Sequence, residues 1–592
     1  MTDFLIAPKN VNCNLGWTCN RVHKFFNFFV DGLYWYSERR GIHVYIIGAP
    51  YLDYTKNQKI EDLGVLVQDA IEKGEVDSVE VHGFATLVAV TETSLYLWTD
   101  ADDYRPIYIK KSPALSVASR IHNFSYLQER KMEVDFSVAE FSLIFGFQPF
   151  DSTIVKGVLK SKVNIVYQLD ERGGVDELGV IKSPKPHKYT SSIDESIFKL
   201  HNHLSESIKS LSHIDGKAGV LLGGFDSALI VALAVKAGIE VETFSFYYSE
   251  SSYNQDKINE LTEMYNVKHH WIPITEQIVK EGLDGYSASY SVPSNWPHYI
   301  IQSDYLCKKI SQLGFKLVLT GDGCDGLFQG YPQLYRSAKM HNEGKSIVFL
   351  SSLVRRLVDS EIFERNLGHV YRLIMRVYRN AQMKNPEKTY LMYRVCDESS
   401  VARLRGKSVI NVEHNIQEKV ARIASGLNDI SYTKLAYQGR SNMGPNRTKI
   451  NGVIDNNNLH LFSPYMHWKV KEFVSSLPEE FFRPESESTL DDIGKYILVK
   501  MAEEYDLLTK DIIHQPKKAA VDAPMDDWYE RELKPYVLEK IDSSNFVVSK
   551  KFARALANPK AAEKIYRKYF SADSITSHML SLILTIISFE RD

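Results

Sequence analysis

The sequence predicts a two-domain α/β protein: an N-terminal α+β layered domain over residues 1–182, a linker at 183–190, and a C-terminal parallel-sheet α/β domain with helical additions over 191–592. Two observations lead there. Before residue 182 the chain consists of short β-prone runs separated by turn residues, as in Gly41-Ile-His-Val-Tyr-Ile-Ile-Gly48 and Phe84-Ala-Thr-Leu-Val-Ala-Val90. After it, strand-like and helix-like segments alternate, which places helices on both faces of a parallel sheet.

The 592 residues are 44% hydrophobic and 24% charged, enough chain for two or more cores. A formal net charge of −3 leaves no electrostatic footprint for nucleic acid, so none is expected as a partner. The cysteines Cys13, Cys19, Cys307, Cys324 and Cys396 form neither a disulfide framework nor a Cys-x-x-Cys spacing, which fits a reducing cytoplasm. The start has no signal-peptide pattern, and Met579–Ile587 is far shorter than the ~20 apolar residues that span a bilayer. That run reads as a buried C-terminal helix, and no membrane partner is expected.

Taken in order, the second half begins at Ser183-Pro-Lys-Pro-His187, a surface linker in which two prolines remove backbone donors. The capping box Ser192-x-x-Glu195 then opens a helix that carries Ile197, Leu200, Leu204, Ile208 and Leu211 at helical spacing. Val220–Leu222 reads as a buried strand, Gly223-Gly224 as a turn, and the residues up to Gly238 as a helix. A strand over Val241–Phe246, a helix from about Asn254 to Tyr265 and a strand near Trp271–Ile274 continue the alternation. Val354–Arg379 is helical by pattern; its Arg365, Arg372, Arg376 and Arg379 read as a solvated stripe or as a landing surface for an acidic or peptide substrate.

The turn after Leu222 carries the chemistry. Its glycines let the backbone approach a bound group, and the first N–H groups of the next helix point out of it, so it is an anion site. A carboxylate there would repel phosphates unless a divalent cation lay between, so Asp226 implies Mg2+ shared by protein and polyphosphate. Ser227 can then donate its hydroxyl to a phosphate oxygen. No Gly-x-x-x-x-Gly-Lys-[Ser/Thr] loop occurs in the chain. Ligands of a parallel sheet bind outside the carboxyl ends of its strands, where Gly223–Ser227 and a second loop, Gly321–Asp325, would both fall.

Leu222-Gly-Gly-Phe-Asp-Ser227 resembles the Ser-Gly-Gly-x-Asp-Ser pyrophosphate loop of the asparagine synthetase superfamily. Leu317-Val-Leu-Thr-Gly-Asp-Gly-Cys-Asp-Gly-Leu-Phe-Gln-Gly-Tyr331 resembles its Val-Leu-Thr-Gly-Glu-Gly-Ala-Asp-Glu-Leu-Phe-Gly-Gly-Tyr. The resemblance implies a C-terminal synthetase domain that cleaves ATP to AMP and pyrophosphate. Leu222, Gly223, Gly224, Asp226, Ser227, Ser245, Gly321 and Gly323 would contact ATP, and Asp226 with Asp325 would hold Mg2+. Glu250-Ser251 resembles the family's Asp-Glu-Ser, and Gly494-Lys-Tyr-Ile-Leu498 its Lys-x-x-Leu helix. Ile513-His-Gln-Pro-Lys-Lys-Ala519 resembles its Arg-Pro-Lys or Arg-Gln-Lys loop, which puts Lys517 in the position of the catalytic lysine. A fixed ammonium there would neutralise charge that develops on phosphate and acyl oxygens.

Thr99–Tyr108, Val117-Ala-Ser-Arg-Ile121, Phe145-Gly-Phe147 and Thr153–Gly157 resemble, in the same order, the family's N-terminal glutaminase-like (Ntn-type) domain. Members that hydrolyse glutamine begin Met-Cys-Gly-Ile, whereas this chain begins Met1-Thr2-Asp3, so a degenerate domain without glutaminase activity is expected. Thr2 is chemically able to serve as an N-terminal nucleophile but lacks the Gly-Ile that would follow it.

Further departures bear on the substrate. Leu222 removes a serine hydroxyl, and Gly326 replaces a glutamate. Leu459-His-Leu461 replaces a Glu-x-Arg that, in family members, lies near the acceptor carboxylate, just before the matching stretch Ser463–Pro478. Asp322 stands where asparagine synthetases have Glu, β-lactam synthetases Tyr and lasso-peptide cyclases His. It is the candidate general base that takes a proton from an attacking ammonium; its other reading is a loop aspartate capping backbone N–H groups. Cys324 reads as packing rather than sulfur chemistry.

The implied activity is an ATP-dependent, AMP-forming ligase that adenylates a carboxylate and joins it to a substrate-borne amine. The alternatives are a catalytically retired nucleotide-binding scaffold and a transfer of free ammonia. Expected cofactors are ATP and Mg2+. The expected partner is a carboxylate- and amine-bearing small molecule or peptide, with a precursor peptide or pathway protein as a further candidate.

Overall fold

The computed structural model describes residues 3–9, 19–22, 26–32, 34–101, 104–112, 114–127, 132–146, 148, 152–169, 174–179, 192–211, 214–248, 255–331, 395–396, 398–406, 445–483, 494–515, 523–558 and 576–590. Thr2, Cys13, the linker at 183–190, Glu250-Ser251, the arginine stripe of 354–379, Lys517 and Lys518 lie outside the described residues.

Two six-stranded antiparallel sheets are built from the first part of the chain. One runs, in spatial order, Val158–Lys160, Tyr108–Lys110, Ser116–Ala118, Asp3–Pro8, Phe26–Asp31 and Cys19–Val22. The other runs Val175–Gly179, Ile165–Leu169, Leu95–Trp98, Gly83–Val90, Ile42–Pro50 and Tyr34–Arg39. Side chains alternate between the faces of a strand, so each sheet presents one apolar row to the other. Phe4, Ile6, Phe28 and Val30 meet Tyr45, Ile47, Val88 and Val90 in that layer. The far side of the second sheet, through Val44, Ile46, Ala85 and Leu87, packs under the helix Ile60–Lys73. This is the layered α+β arrangement expected from the short-strand pattern.

Leu5, Ala7 and Ala118, on the far side of the first sheet, belong to the same buried cluster as Leu200, Val220 and Leu319. One apolar core therefore runs from the antiparallel layers into the second half of the chain.

The second half holds a five-stranded parallel sheet ordered Lys268–Pro273, Glu240–Tyr247, Lys217–Leu221, Leu317–Leu319 and His460–Phe462. Strand Lys217–Leu221 is central and comes first in sequence; the chain winds from it to one edge, then returns to build the other. The strand order reverses between Lys217–Leu221 and Leu317–Leu319, and such a switch point opens a crevice at the strands' carboxyl ends. The helices follow their sequence signals. Ser192 Oγ accepts from Glu195 N at 3.2 Å and opens Ile193–Lys209. Phe225–Lys236 follows the glycine turn, and Gln255–Tyr265 follows the strand Glu240–Tyr247. The strand expected near Trp271–Ile274 begins earlier, at Lys268. Thr576–Ser588 is the C-terminal helix, with Met579, Leu580, Leu582 and Ile583 fully buried. Among the described residues, no helix is long and apolar enough to cross a membrane.

Candidate active site

The two glycine loops meet at the switch point. A Cβ on Gly321 would lie 3.0 Å from Asp226 Cβ and 3.2 Å from Ser227 N, so Gly321 is what allows the second loop to lie against the first. Gly323 has φ +88° at the start of a short helical turn, and a Cβ there would come within 2.6 Å of Met466 Cγ. Around Gly223 and Gly224 the space is open, with nothing within 4 Å of an added Cβ. That opening lies at the N-terminus of Phe225–Lys236, where the helix dipole and the N–H groups directed out of its first turn favour an anion.

In this structure the turn's own serine serves those donors. Gly223 N and Gly224 N donate to Ser227 Oγ at 2.9 and 3.2 Å, and Ser227 Oγ donates to Gly224 O at 3.0 Å. The hydroxyl that Ser227 was expected to offer to a phosphate oxygen is here directed at Gly224 O. The physical reason is local: a short hydroxyl at the third helical position reaches back to the orphan N–H groups. Ser245 is placed under the loop, its Oγ donating to Leu222 O at 2.6 Å. Leu222 is itself buried, and its N–H donates to Phe244 O.

Asp226 and Asp325 are brought together, and a lysine stands between them. Lys495 Nζ lies 2.5 Å from Asp226 Oδ1 and 2.7 Å from Asp325 Oδ1. Lys495 is 5% exposed, whereas the carboxylate side chains keep 22% and 21% of their surface. The two acids hold the ammonium's pKa well above its ordinary value despite burial that acts the other way. Backbone geometry delivers this lysine. Gly494 and Lys495 are both left-handed, at φ +59° and +61°, and Lys495 N donates to Phe328 O at 3.0 Å. Gly330 clears the path, since a Cβ there would sit 2.2 Å from Asp325 Oδ1 and 2.3 Å from Lys495 Cε.

Two partly open carboxylates beside the glycine turn fit Mg2+, which is commonly held by one or two carboxylates together with substrate phosphates. Among the described residues no group of three or more His, Cys, Asp or Glu side chains could hold a metal by itself.

Asp322 lies elsewhere in the same loop and is engaged. Lys449 Nζ is 2.7 Å from both of its carboxylate oxygens and 2.9 Å from Tyr299 Oη, and Thr320 Oγ1 donates to Asp322 Oδ2 at 2.6 Å. The side chains of Lys449 and Asp322 are 5% and 9% exposed. Lys449 and Asp322 form a buried ion pair, and a general-base role for Asp322 would require Lys449 to release the carboxylate. Asp322 holds the loop, although through an ion pair and not through the backbone caps expected. Lys449 was missed because its partner lies 127 residues away; a lone lysine among Thr448, Ile450 and the buried Val453 was the available signal.

Cys324 is fully buried, and burial pushes its thiol well up, as suits packing. His467 caps the helix Trp468–Ser476: Nδ1 accepts from Lys469 N at 3.2 Å and Nε2–H donates to Leu52 O at 3.0 Å.

At the N-terminal end of the first sheet, Asp3 occupies a closed polar cluster. Its Oδ1 accepts from Ser119 Oγ at 2.7 Å, Arg120 Nε at 2.8 Å and Asn123 Nδ2 at 3.3 Å, while its Oδ2 pairs with Arg120 Nη2. Arg120 Nη1 continues to Asn456 Oδ1 at 2.9 Å, in the second half of the chain. Arg120 replaces the glutamate of the family's Phe-Ala-Ser-Glu-Ile, so the departure at Asp3 and the one at Arg120 are complementary.

The asparagine synthase family model matches residues 199–590, well over half the chain, including both loops, Lys449 and Lys495. The chain belongs to the asparagine synthase family. Membership supports, at a coarse level, an ATP-using carbon–nitrogen ligase. A shorter likeness, 38% identical over 80 residues, is to a 7-cyano-7-deazaguanine synthase of Rickettsia canadensis (strain McKiel); it covers 13% of this chain and 33% of that protein. Among solved structures, the NMN synthetase of Francisella tularensis is 24% identical over 24% of this chain and 59% of its own, with a TM-score of 0.18. The glutamine PRPP amidotransferase of B. subtilis, complexed with ADP and GMP, is 10% identical over 47% of this chain and 85% of its own, with a TM-score of 0.20. Nothing about this chain's fold or chemistry follows from structural likenesses this slight.

Proposed function

We propose that this family member is an ATP-dependent, AMP-forming ligase that adenylates a substrate carboxylate and forms an amide with an amine borne by the substrate. The observation that carries the reading is the convergence of Asp226, Asp325 and Lys495 in front of the open turn at Gly223-Gly224. The turn's N–H groups, now on Ser227 Oγ, would pass to phosphate oxygens, with the N-terminus of Phe225–Lys236 favouring the charge. Lys495 would neutralise part of it. Mg2+, which Asp226 and Asp325 are suited to hold, would supply further neutralisation of the leaving pyrophosphate. Lys517, carried over from the family motif, would act on the phosphate and acyl oxygens.

The amine is assigned to the substrate because the Asp3–Arg120 ion pair occupies the strand start that follows the cysteine in the family's glutaminase-like domain. The test is ATP-dependent pyrophosphate release from a panel of carboxylic acids and peptides that also carry amines. A substrate should be found whose turnover needs neither glutamine nor ammonia. Nucleotide binding with no pyrophosphate release from any of them would favour the scaffold; release that requires ammonia would favour free-ammonia transfer.

A further inference from the structure

We propose that Lys495 is a resident counter-cation: in the nucleotide-free protein it occupies the position between Asp226 and Asp325 and keeps a divalent ion from bridging them until polyphosphate arrives. The inference rests on the reading of this crevice as the ATP site and adds an order of loading to it.

The geometry carries the exclusion. An ammonium 2.5 and 2.7 Å from the two Oδ1 atoms fills the point on which both converge. A divalent ion held by the same two carboxylates would need the volume the ammonium takes, which would put two cations in contact. Two like charges at that separation repel strongly in a partly dry site. Lys495 must leave first.

Its departure is opposed by the way it is built in. A non-glycine residue in the left-handed region costs roughly 1 kcal/mol, so surrounding contacts must impose φ +61° on Lys495. Those contacts include its N–H bond to Phe328 O and the clearance at Gly330. Taken alone, a divalent ion gives the displaced ammonium no new anionic partner. A polyphosphate bound at Gly223-Gly224 would supply one within the same crevice, and the exchange then replaces one set of charge-assisted bonds with another. Metal and nucleotide should therefore bind as a unit.

The test uses Mn2+ as the probe, with the Mn2+ retained by the full chain after equilibrium dialysis, with and without ATP on both sides of the membrane, measured by electron paramagnetic resonance after acid release. Wild type should take up Mn2+ only when ATP is present. Lys495→Met should take it up without nucleotide, at least ~10-fold more tightly than wild type, because the ammonium that stands between the two carboxylates is gone. Should Lys495→Met fail to fold, Lys495→Gln, which removes the charge but keeps a hydrogen-bond donor, should show the same gain. Wild type that binds Mn2+ in the absence of nucleotide as tightly as a folded uncharged variant overturns the proposal. So does a folded uncharged variant with no gain. No acyl substrate enters the assay, so a chain that proved not to be a ligase could still show the exchange, and a failed exchange would leave the ligase reading standing.

Discussion

Two clusters in this molecule use the same ingredients, carboxylates and one buried cation, to opposite ends. Around Asp3 the group is closed: its carboxylate is 0% exposed, Arg120 is 7% exposed, and donors from Ser119, Asn123 and Arg120 surround it. Around Lys495 the cation is buried, but both carboxylates keep about a fifth of their surface and the neighbouring glycine turn is open. A satisfied, dry ion pair is a brace, since removing either partner strands a charge. A pair of acids that face an opening can change partners. The difference separates structure from chemistry more clearly than charge content does.

The comparison can be broken first at the brace. Arg120→Met should destabilise the protein by ~3–5 kcal/mol, as Asp3 is then a buried carboxylate without its cation. Denaturant unfolding measures it, and a change within ~0.5 kcal/mol would make the Asp3 cluster incidental. Lys449→Met should cost about 3 kcal/mol for the same reason, and adding Asp322→Asn should recover part of the loss. If Asp322 is instead the general base, Asp322→Asn alone would abolish turnover while leaving stability nearly unchanged.

Gly330→Ala sharpens the other side of the comparison. The added methyl must displace Asp325 Oδ1 or Lys495 Cε, so stability should fall by ~1–3 kcal/mol while pyrophosphate release falls at least ~10-fold. A variant that loses stability with unchanged turnover would disconnect this triad from catalysis.

A further test is by pH. Burial lowers the pKa of His269 and His578 to about 4 and of His467 to about 3, from an ordinary 6.5. Their folded pKa values are depressed, so the unfolded chain binds these protons first. Stability is fully present above pH 6.5 and is lost as pH falls towards 4, by up to ~1.4 kcal/mol per pH unit for each histidine. His578 Nε2 accepts from Trp296 Nε1 at 2.7 Å, and a proton there would break that bond. His578→Gln should make the loss between pH 6.5 and 4 shallower; an unchanged slope would remove His578 from the account.

Both glycine loops were legible because each is written in contiguous residues with a mechanical reason for their types, and the strand–helix alternation then implied a parallel sheet whose carboxyl ends bring Asp226 near Asp325. What was not legible depends on partners far apart in sequence. Asp322 looked like a free base until Lys449 was seen across 127 residues, and Ser227 looked available until its hydroxyl was found on the turn it belongs to. Lys495 was visible as part of a Lys-x-x-Leu helix, but its left-handed backbone and its place between two acids were not. Asp3 and Arg120 each departed from the family pattern; only their contact shows that the two departures are one change.

The central claim is that the open cluster performs adenylation, and substrate-dependent pyrophosphate release by wild type, Asp226→Asn and Asp325→Asn tests it most directly. Each variant should unfold at nearly the wild-type denaturant concentration and lose at least ~100-fold in release, as expected when a preorganised charge site is removed. Wild-type release from a folded Asp226→Asn or Asp325→Asn protein would contradict the account.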